Sequence, residues 1–430
     1  MKLYSTRDKS YRTDFRTAVR QGLAPDGGLF MPVELPVFNR DFWKELRGST
    51  LRTKARIFLG ETLEDDFNPE QLDRITSRAF TFDAPLVPLG NHLEILELFH
   101  GPTLAFKDFG ARTMAAMLSE MAREEGEKIT ILTATSGDTG AAVAHGFFEA
   151  PGVDVFVFYP AGKVSGLQEK QFTTLGGNVH ALEVEGTFDD CQRLVKACFA
   201  DPDIRDAREL TTANSINIAR LLPQMVYYIH AACDSNEKDW HPPVFSVPSG
   251  NFGNLTAGLM ARKMGMPFRF FVAATNCNHV VPDYLEQGEY HPGKSVRTIS
   301  NAMDVGDPSN FDRMLDLYGS DHGAMAKDVT GAWYTDDQTR NAIVEVWNRH
   351  QYLMDPHTAV GYLGGQASAQ KSLRTVVLST AHPSKFPETI EELLPGSLVI
   401  PERLARLADR KKITVKVRPE LQDVKAVLLS

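Results

Sequence analysis

The stretch Leu98-Phe99-His100-Gly101-Pro102-Thr103-Leu104-Ala105-Phe106-Lys107-Asp108-Phe109-Gly110 sets one lysine between two aromatic residues, where a Gly-Pro loop gives way to a helical pattern. A lysine in apolar surroundings loses solvation of its ammonium form and becomes a usable amine, able to condense with an aldehyde. Lys107 is the candidate reactive residue. Two loops could hold anions. Ser136-Gly137-Asp138-Thr139-Gly140 follows an apolar run over 129–135 and opens a helix, where free backbone N–H groups suit a carboxylate. Pro248-Ser249-Gly250-Asn251-Phe252-Gly253-Asn254 follows a second run over 244–247, and its two glycines let successive N–H groups curl around a phosphate.

No Gly-Lys-Ser/Thr follows that second loop, and the chain has no G-x-G-x-x-G, so a nucleotide is not the expected phosphate. A third run ends in Ser379-Thr380-Ala381-His382-Pro383, where the Thr380 hydroxyl can face a ring nitrogen. A desolvated lysine for an aldehyde, a glycine cup for a phosphate and a hydroxyl for a pyridine nitrogen describe a site for pyridoxal phosphate.

The elements that must position these groups follow from hydrophobic period. Phe106, Met114, Met117, Leu118 and Met121 form an apolar stripe, with Arg112, Glu120, Arg123, Glu124 and Glu125 around it, which predicts an amphipathic helix starting near Lys107. Gly110, Ala111, Ala115 and Ala116 would admit a neighbouring backbone. Strand-length apolar runs over 129–135, 153–159, 179–184, 244–247, 268–274 and 376–380 are mostly separated by helical patterns over 165–175, 188–200, 216–232 and 255–264. This alternation predicts a doubly wound α/β fold whose strands are covered on both faces. Ligands in such folds sit beyond the carboxyl ends of the strands, where the three loops lie.

The 430 residues allow two or three domains. Residues 1 to about 82 read as a separate mixed unit with a turn-dense loop over 22–32. Asn68 caps a helix with Pro69 in its first turn, and 85–88 marks a boundary. A formal charge of −9 argues against nucleic-acid or anionic-membrane partners, and Arg403, Arg406, Arg410, Lys411 and Lys412 read as a solvated helix face. Cys191, Cys198, Cys233 and Cys277 lack disulfide or zinc spacing and read as core thiols, so no metal is expected. The charged N-terminus and the lack of a long apolar stretch point to a soluble, cytoplasmic protein.

The chain from Tyr4 onward resembles the threonine synthase family. The matching stretches are Gly22-Leu23-Ala24-Pro25-Asp26-Gly27-Gly28-Leu29-Phe30, His100 to Asp108, Thr135 to Gly140 and Ser249 to Gly253. The resemblance implies a fold type II pyridoxal-phosphate enzyme of two doubly wound α/β lobes with an extra N-terminal domain. Its domains would be 1–84 and 85–430, the smaller lobe spanning roughly 105–220. It implies conversion of O-phospho-L-homoserine and water to L-threonine and phosphate by γ-elimination and β-hydration, in a monomer or homodimer. By motif, Lys107 would bond the cofactor and move protons at Cα and Cβ. Gly250, Asn251, Phe252, Gly253 and Asn254 would hold the cofactor phosphate, and Thr380 would face the pyridine nitrogen. Thr135, Ser136, Gly137 and Thr139 would take the substrate carboxylate, and Ser215, Asn217 and Arg220 its phosphate, with Lys163, Lys170 and His382 nearby candidates.

Related enzymes often carry Asn where this chain has Asp138, next to the cofactor's ring hydroxyl. A carboxylate beside a phenolate repels it unless one holds a proton. The alternatives are a phospho-lyase releasing an α-keto acid without hydration, and a silent binding relative, which would have no need of Lys107, the glycine cup and Thr380 together.

Overall fold

A computed structural model describes residues 1–430 apart from Asn91, Ser136, Ser165 and residues 235–240. Three sheets carry the described chain. The first is antiparallel, with Lys2–Ser5 between Arg12–Asp14 and Phe30–Pro32. Helices Leu51–Leu63 and Pro69–Ala79 belong to the same N-terminal segment. Asn68 and Gln71 form a reciprocal capping box at the second, with Pro69 in its first turn as the sequence predicts.

The largest sheet runs Val329–Trp333, Phe271–Thr275, Val244–Pro248, Thr375–Ser379, Leu93–Glu97 and Leu86–Pro88, all parallel except the last pair. The expected boundary over 85–88 is therefore an edge strand, antiparallel to Leu93–Glu97, and Pro88 at its end removes a ladder donor at the sheet edge. The third sheet is wholly parallel: Thr414–Val417, Val179–Val184, Val153–Pro160, Ile129–Ala134 and Glu209–Thr211. The expected lobe limits leave the tail in the larger lobe. Instead Thr414–Val417 pairs with Val179–Val184 and extends the smaller sheet.

Helix Lys107–Glu125 joins the two larger sheets. It is not amphipathic: nearly every residue from Asp108 to Ala122 is buried, because helices Pro69–Ala79 and Asp138–Phe147 both pack on it. Glu120, expected on a solvated face, is buried and accepts two bonds from Arg74, at 3.0 and 2.8 Å. The small residues do admit a backbone, since a Cβ on Gly110 would stand 2.8 Å from the Arg220 carbonyl oxygen. The continuous helix expected over 216–232 divides into Ile218–Leu221, a 3₁₀ turn Leu222–Gln224 and Met225–Cys233. Pro223, lacking an N–H, is the cause. Cys191, Cys198 and Cys233 are buried, whereas Cys277 is only partly covered.

Candidate functional site

The Lys107 loop is zipped to the end of strand Thr375–Ser379 by backbone bonds. Leu98 N–H donates to Ser379 at 2.9 Å, Phe106 N–H to Thr380 at 2.9 Å and His382 N–H to Leu104 at 3.0 Å. These bonds draw Thr380 out of the ladder, so the strand stops one residue earlier than its apolar run, and they set Thr380 next to the helix start that carries Lys107. Leu104 within this loop is left-handed at φ +60°, a conformation costly for a side chain and tolerated here by its packing with Leu404 and Leu407.

Desolvation brings the Lys107 ammonium down to about 8. The charge of Asp138 opposes that fall, and those of Lys385 and Arg220 assist it. The result is an amine partly free near neutral pH. Asp138 opens helix Asp138–Phe147, and its carboxylate lies 2.6 Å from the Lys385 ammonium and accepts from Gln168 at 3.1 Å. Burial pushes its carboxyl up, but Lys385 and Lys107 outweigh that and hold it at about 2. A cavity of about 260 Å³ adjoins this pair, lined by Leu167, Gln168, Gln171, Ser384, Lys385 and Leu404.

Thr135 shapes the same loop from within. Its hydroxyl accepts from Gly137 N–H at 3.0 Å and Gly140 N–H at 2.9 Å and faces the Gly137 carbonyl at 3.1 Å, which commits it to the turn rather than to a substrate carboxylate. Gly137 is buried and Thr139 half-buried, while Ser136 lies outside the described residues.

The glycine cup lies between strand Val244–Pro248 and helix Gly253–Lys263. Among the described residues no side chain caps that helix, and Phe252 before it is left-handed at φ +57°, so its first N–H groups are unspent. A Cβ on Gly250 would stand 2.7 Å from the Ala302 carbonyl oxygen, which is why no side chain fits there. Asn251 donates to Ser215 Oγ at 2.8 Å and accepts from Ser309 N–H at 2.7 Å. Asn254 Oδ1 accepts from Tyr227 and Tyr228 hydroxyls at 2.6 and 2.7 Å, which fixes the amide and leaves its buried Nδ2 with no partner among the described residues.

Ser215 therefore braces the cup. Asn217 is fully buried: it caps helix Ile218–Leu221 and donates to Val19 O at 2.8 Å, which removes it from the expected substrate ligands. Arg220 is buried, donates to Ala213 O at 2.6 Å and keeps an Nε with no partner among the described residues, and desolvation lowers it to about 10. Lys163 is exposed, and Lys170 donates to Ala408 O. His382 is held near 4 by burial and the Arg403 charge, and its neutral Nδ1 accepts from Ser384. In the basic run, Arg403 donates to His100 O and Lys412 pairs with Glu169, so two of the five anchor the tail.

Two residues that sequence reasoning misses complete the site. Lys385 has no local pattern to mark it, three residues past a histidine in a turn. Arg313, fully buried, donates to Phe30 O, Ile216 O and Asn310 Oδ1, and Asn310 in turn donates to Asn251 O. It ties the N-terminal sheet to the cup.

These residues fit pyridoxal phosphate. An unpartnered buried amide at an uncapped helix start, with glycine where a Cβ cannot stand, suits a phosphate. A lysine with a lowered proton affinity suits an aldehyde.

Known proteins agree with this geometry. The family described as "Pyridoxal-phosphate dependent enzyme" matches residues 84–380, "Threonine synthase N terminus" matches 2–80 and "Threonine synthase, C-terminal" matches 358–428. The threonine synthase of Escherichia coli K12 is 43% identical over 409 residues, covering 95% of each chain. Its crystal structure superposes with a TM-score of 0.90, covering 100% of this chain and 99% of that one. The pyridoxal-phosphate-bound threonine synthase of Brucella melitensis, 36% identical, reaches 0.94 over 100% and 99%. The chain belongs to the pyridoxal-phosphate-dependent threonine synthase family.

Proposed function

We propose that this protein converts O-phospho-L-homoserine and water into L-threonine and phosphate. The observation that carries the reading is Lys107, an amine desolvated at a helix start and zipped to Thr380. Pyridoxal phosphate, when bound, supplies an electron sink that lets protons leave the substrate's amino-bearing carbon, Cα, and then its neighbour Cβ. Lys107 Nζ takes and returns those protons, which its lowered proton affinity suits near neutral pH. The N–H groups from Gly250 to Gly253 and the amide of Asn254 hold the cofactor phosphate, with Asn251 bracing the cup. Thr380 faces the ring nitrogen as a neutral partner, which moderates the sink.

The turn through Gly137 and Thr139 receives the substrate carboxylate, and Arg220 with its spare Nε receives the substrate phosphate. Asp138 and Lys385 line the remaining side. We assign residues 1–84 to an N-terminal domain and 85–430 to the catalytic one, working in the cytoplasm as a monomer or homodimer.

The test is the visible spectrum of the purified protein, then borohydride reduction and mapping of the tag. A yellow band that disappears, with the pyridoxyl group on Lys107 and release of threonine with phosphate, supports the reading. A Lys107→Ala variant should fold and lose turnover. Full activity in that variant, or an α-keto acid as sole product, overturns it.

A further inference from the structure

The ammonium of Lys385 is nearly sealed from water, with 1% of its side chain exposed, and Asp138 is 10% exposed. Besides the 2.6 Å contact to Asp138, Lys385 Nζ donates to the Thr103 carbonyl at 2.9 Å. Thr103 is fixed from the other side, its N–H and hydroxyl donating to Asp108 at 2.8 and 2.7 Å. Asp108 is the neighbour of Lys107 on the first turn of the same helix. One ammonium thus ties three segments: the loop after strand Thr375–Ser379, the loop before Lys107 and the helix start after strand Ile129–Ala134. The first and last follow strands of different sheets, so the contact links the two larger sheets.

A buried ion pair is a poor source of net stability, because desolvating both charges offsets their attraction. Its consequence here is a charge fixed in place. We propose that Lys385 is a positioning residue that pins Asp138, from the other large sheet, as an ionised carboxylate, presenting a matched ammonium and carboxylate to the cofactor side of Lys107. This removes the conflict of a carboxylate beside a phenolate without requiring a proton on Asp138. The inference rests on Lys107 as the cofactor-bearing lysine.

The charged and titratable groups that act on this pair are Lys107 and Asp108 from the lysine helix, His145 from helix Asp138–Phe147 and His357 from helix Pro356–Gln370, while Arg220 acts on Lys107. Their signs give distinct expectations for the Lys107 nitrogen. Lys385 lowers its proton affinity and Asp138 raises it.

The experiment uses the loaded enzyme. The wild type is first reduced with borohydride and mapped, then the visible band is titrated with pH in wild type and in Lys385→Met, Lys385→Arg and Asp138→Asn. We expect the band's inflection to move up in Lys385→Met, down in Asp138→Asn, and to stay close to wild type in Lys385→Arg. In Lys385→Met, kcat should fall about 100-fold with KM changed by no more than about threefold, the pattern of misplaced chemistry rather than lost binding. Should Lys385→Met fail to fold or load, the Arg and Asp138→Asn arms decide by the same shifts. A wild-type tag away from Lys107 overturns the cofactor-lysine reading and this inference with it. A tag on Lys107 with an unmoved inflection and unchanged kcat in Lys385→Met overturns this inference alone. Lys385→Arg shifting as far as Lys385→Met makes the role one of packing and also overturns it.

Discussion

Two loops of this molecule join a parallel strand to a helix, yet they are braced by opposite means. The loop from Ser249 to Asn254 is held by neutral groups: Ser215 and Ser309 on Asn251, Asn310 on its carbonyl, and two tyrosine hydroxyls on Asn254. The loop from Thr135 to Gly140 is held by the Thr135 hydroxyl inside and, outside, by the Gln168 amide and the Lys385 ammonium, with Asp138 ionised against Lys385. Under the proposed function the difference follows from the phosphate that the first loop takes and from the proton-moving lysine beside Asp138 in the second. A phosphate already carries charge, so aimed N–H groups suffice and no carboxylate should stand near. A site where protons move needs fixed charges that set proton affinities.

The comparison can be broken at Arg313, where the largest effect is expected. Arg313→Met would strand the carbonyls of Phe30 and Ile216 and free Asn310 from its partner. Each buried group left unpaired costs about 1–3 kcal/mol, so urea unfolding should show a loss of about 3 kcal/mol together with weaker retention of pyridoxal phosphate. Retained affinity would mean that the cup stands without its N-terminal brace. Next is Gly250→Ala, whose Cβ would stand against Ala302 and Met303 backbone. Overpacking of about 1–3 kcal/mol should weaken the cofactor by roughly 10- to 100-fold in equilibrium dialysis, with little change at the Asp138 loop.

Acid should distinguish the loops further. Among the described residues no ionised side chain contacts the Ser249–Asn254 cup directly, whereas the Thr135–Gly140 loop carries Asp138 and is tied through Lys385 to the turn that holds His382. His382 titrates near 4 when folded and at 6.5 when free, its neutral Nδ1 being required as an acceptor. Its contribution to stability is full above pH 6.5 and is lost as pH falls toward 4. Asp138, near 2 when folded and 3.8 when free, loses its share only from 3.8 downward. Thermal midpoints should therefore decline between pH 6.5 and 4, and His382→Asn should reduce that decline, the remainder coming from His145, which burial also holds at about 4. An equally steep decline in the variant would place the acid-sensitive group elsewhere.

Local signals explain what the sequence makes legible. Helix Phe188–Ala200 and strand Val179–Val184 match their expected limits because caps and apolar period are written within them. The glycine cup is legible for the same reason, since it needs residues that are adjacent. Strands Glu209–Thr211 and Thr414–Val417 are short and polar, and form only because an edge of the sheet awaits them. Lys385 and Arg313 are illegible for a different reason: Asp138, Thr103, Phe30 and Ile216, which hold them, are remote in the chain, and a lysine or arginine gives no local sign that it is buried. Asn217 shows the reverse error. Its type and neighbours suit an anion, but the N-terminal segment takes its amide through Val19.

The smallest expected effect is also the sharpest on the cup. Tyr227 and Tyr228 both donate to Asn254 Oδ1, at 2.6 and 2.7 Å, so either alone still orients the amide. Tyr228→Phe removes one donor and also the bond to the Asn254 carbonyl at 3.1 Å, while leaving the ring packed against Phe245 and Phe271. One neutral hydrogen bond is worth about 0.5–1.5 kcal/mol, so pyridoxal phosphate should bind roughly 2- to 10-fold more weakly. Tyr227→Phe, with Gln224 still near, should cost about the same, and the double variant should cost more than the sum, because only then is the amide free to turn its oxygen toward the phosphate. Strict additivity would mean that the tyrosines merely fill space, and that the neutral bracing of this loop lies with Asn251 instead.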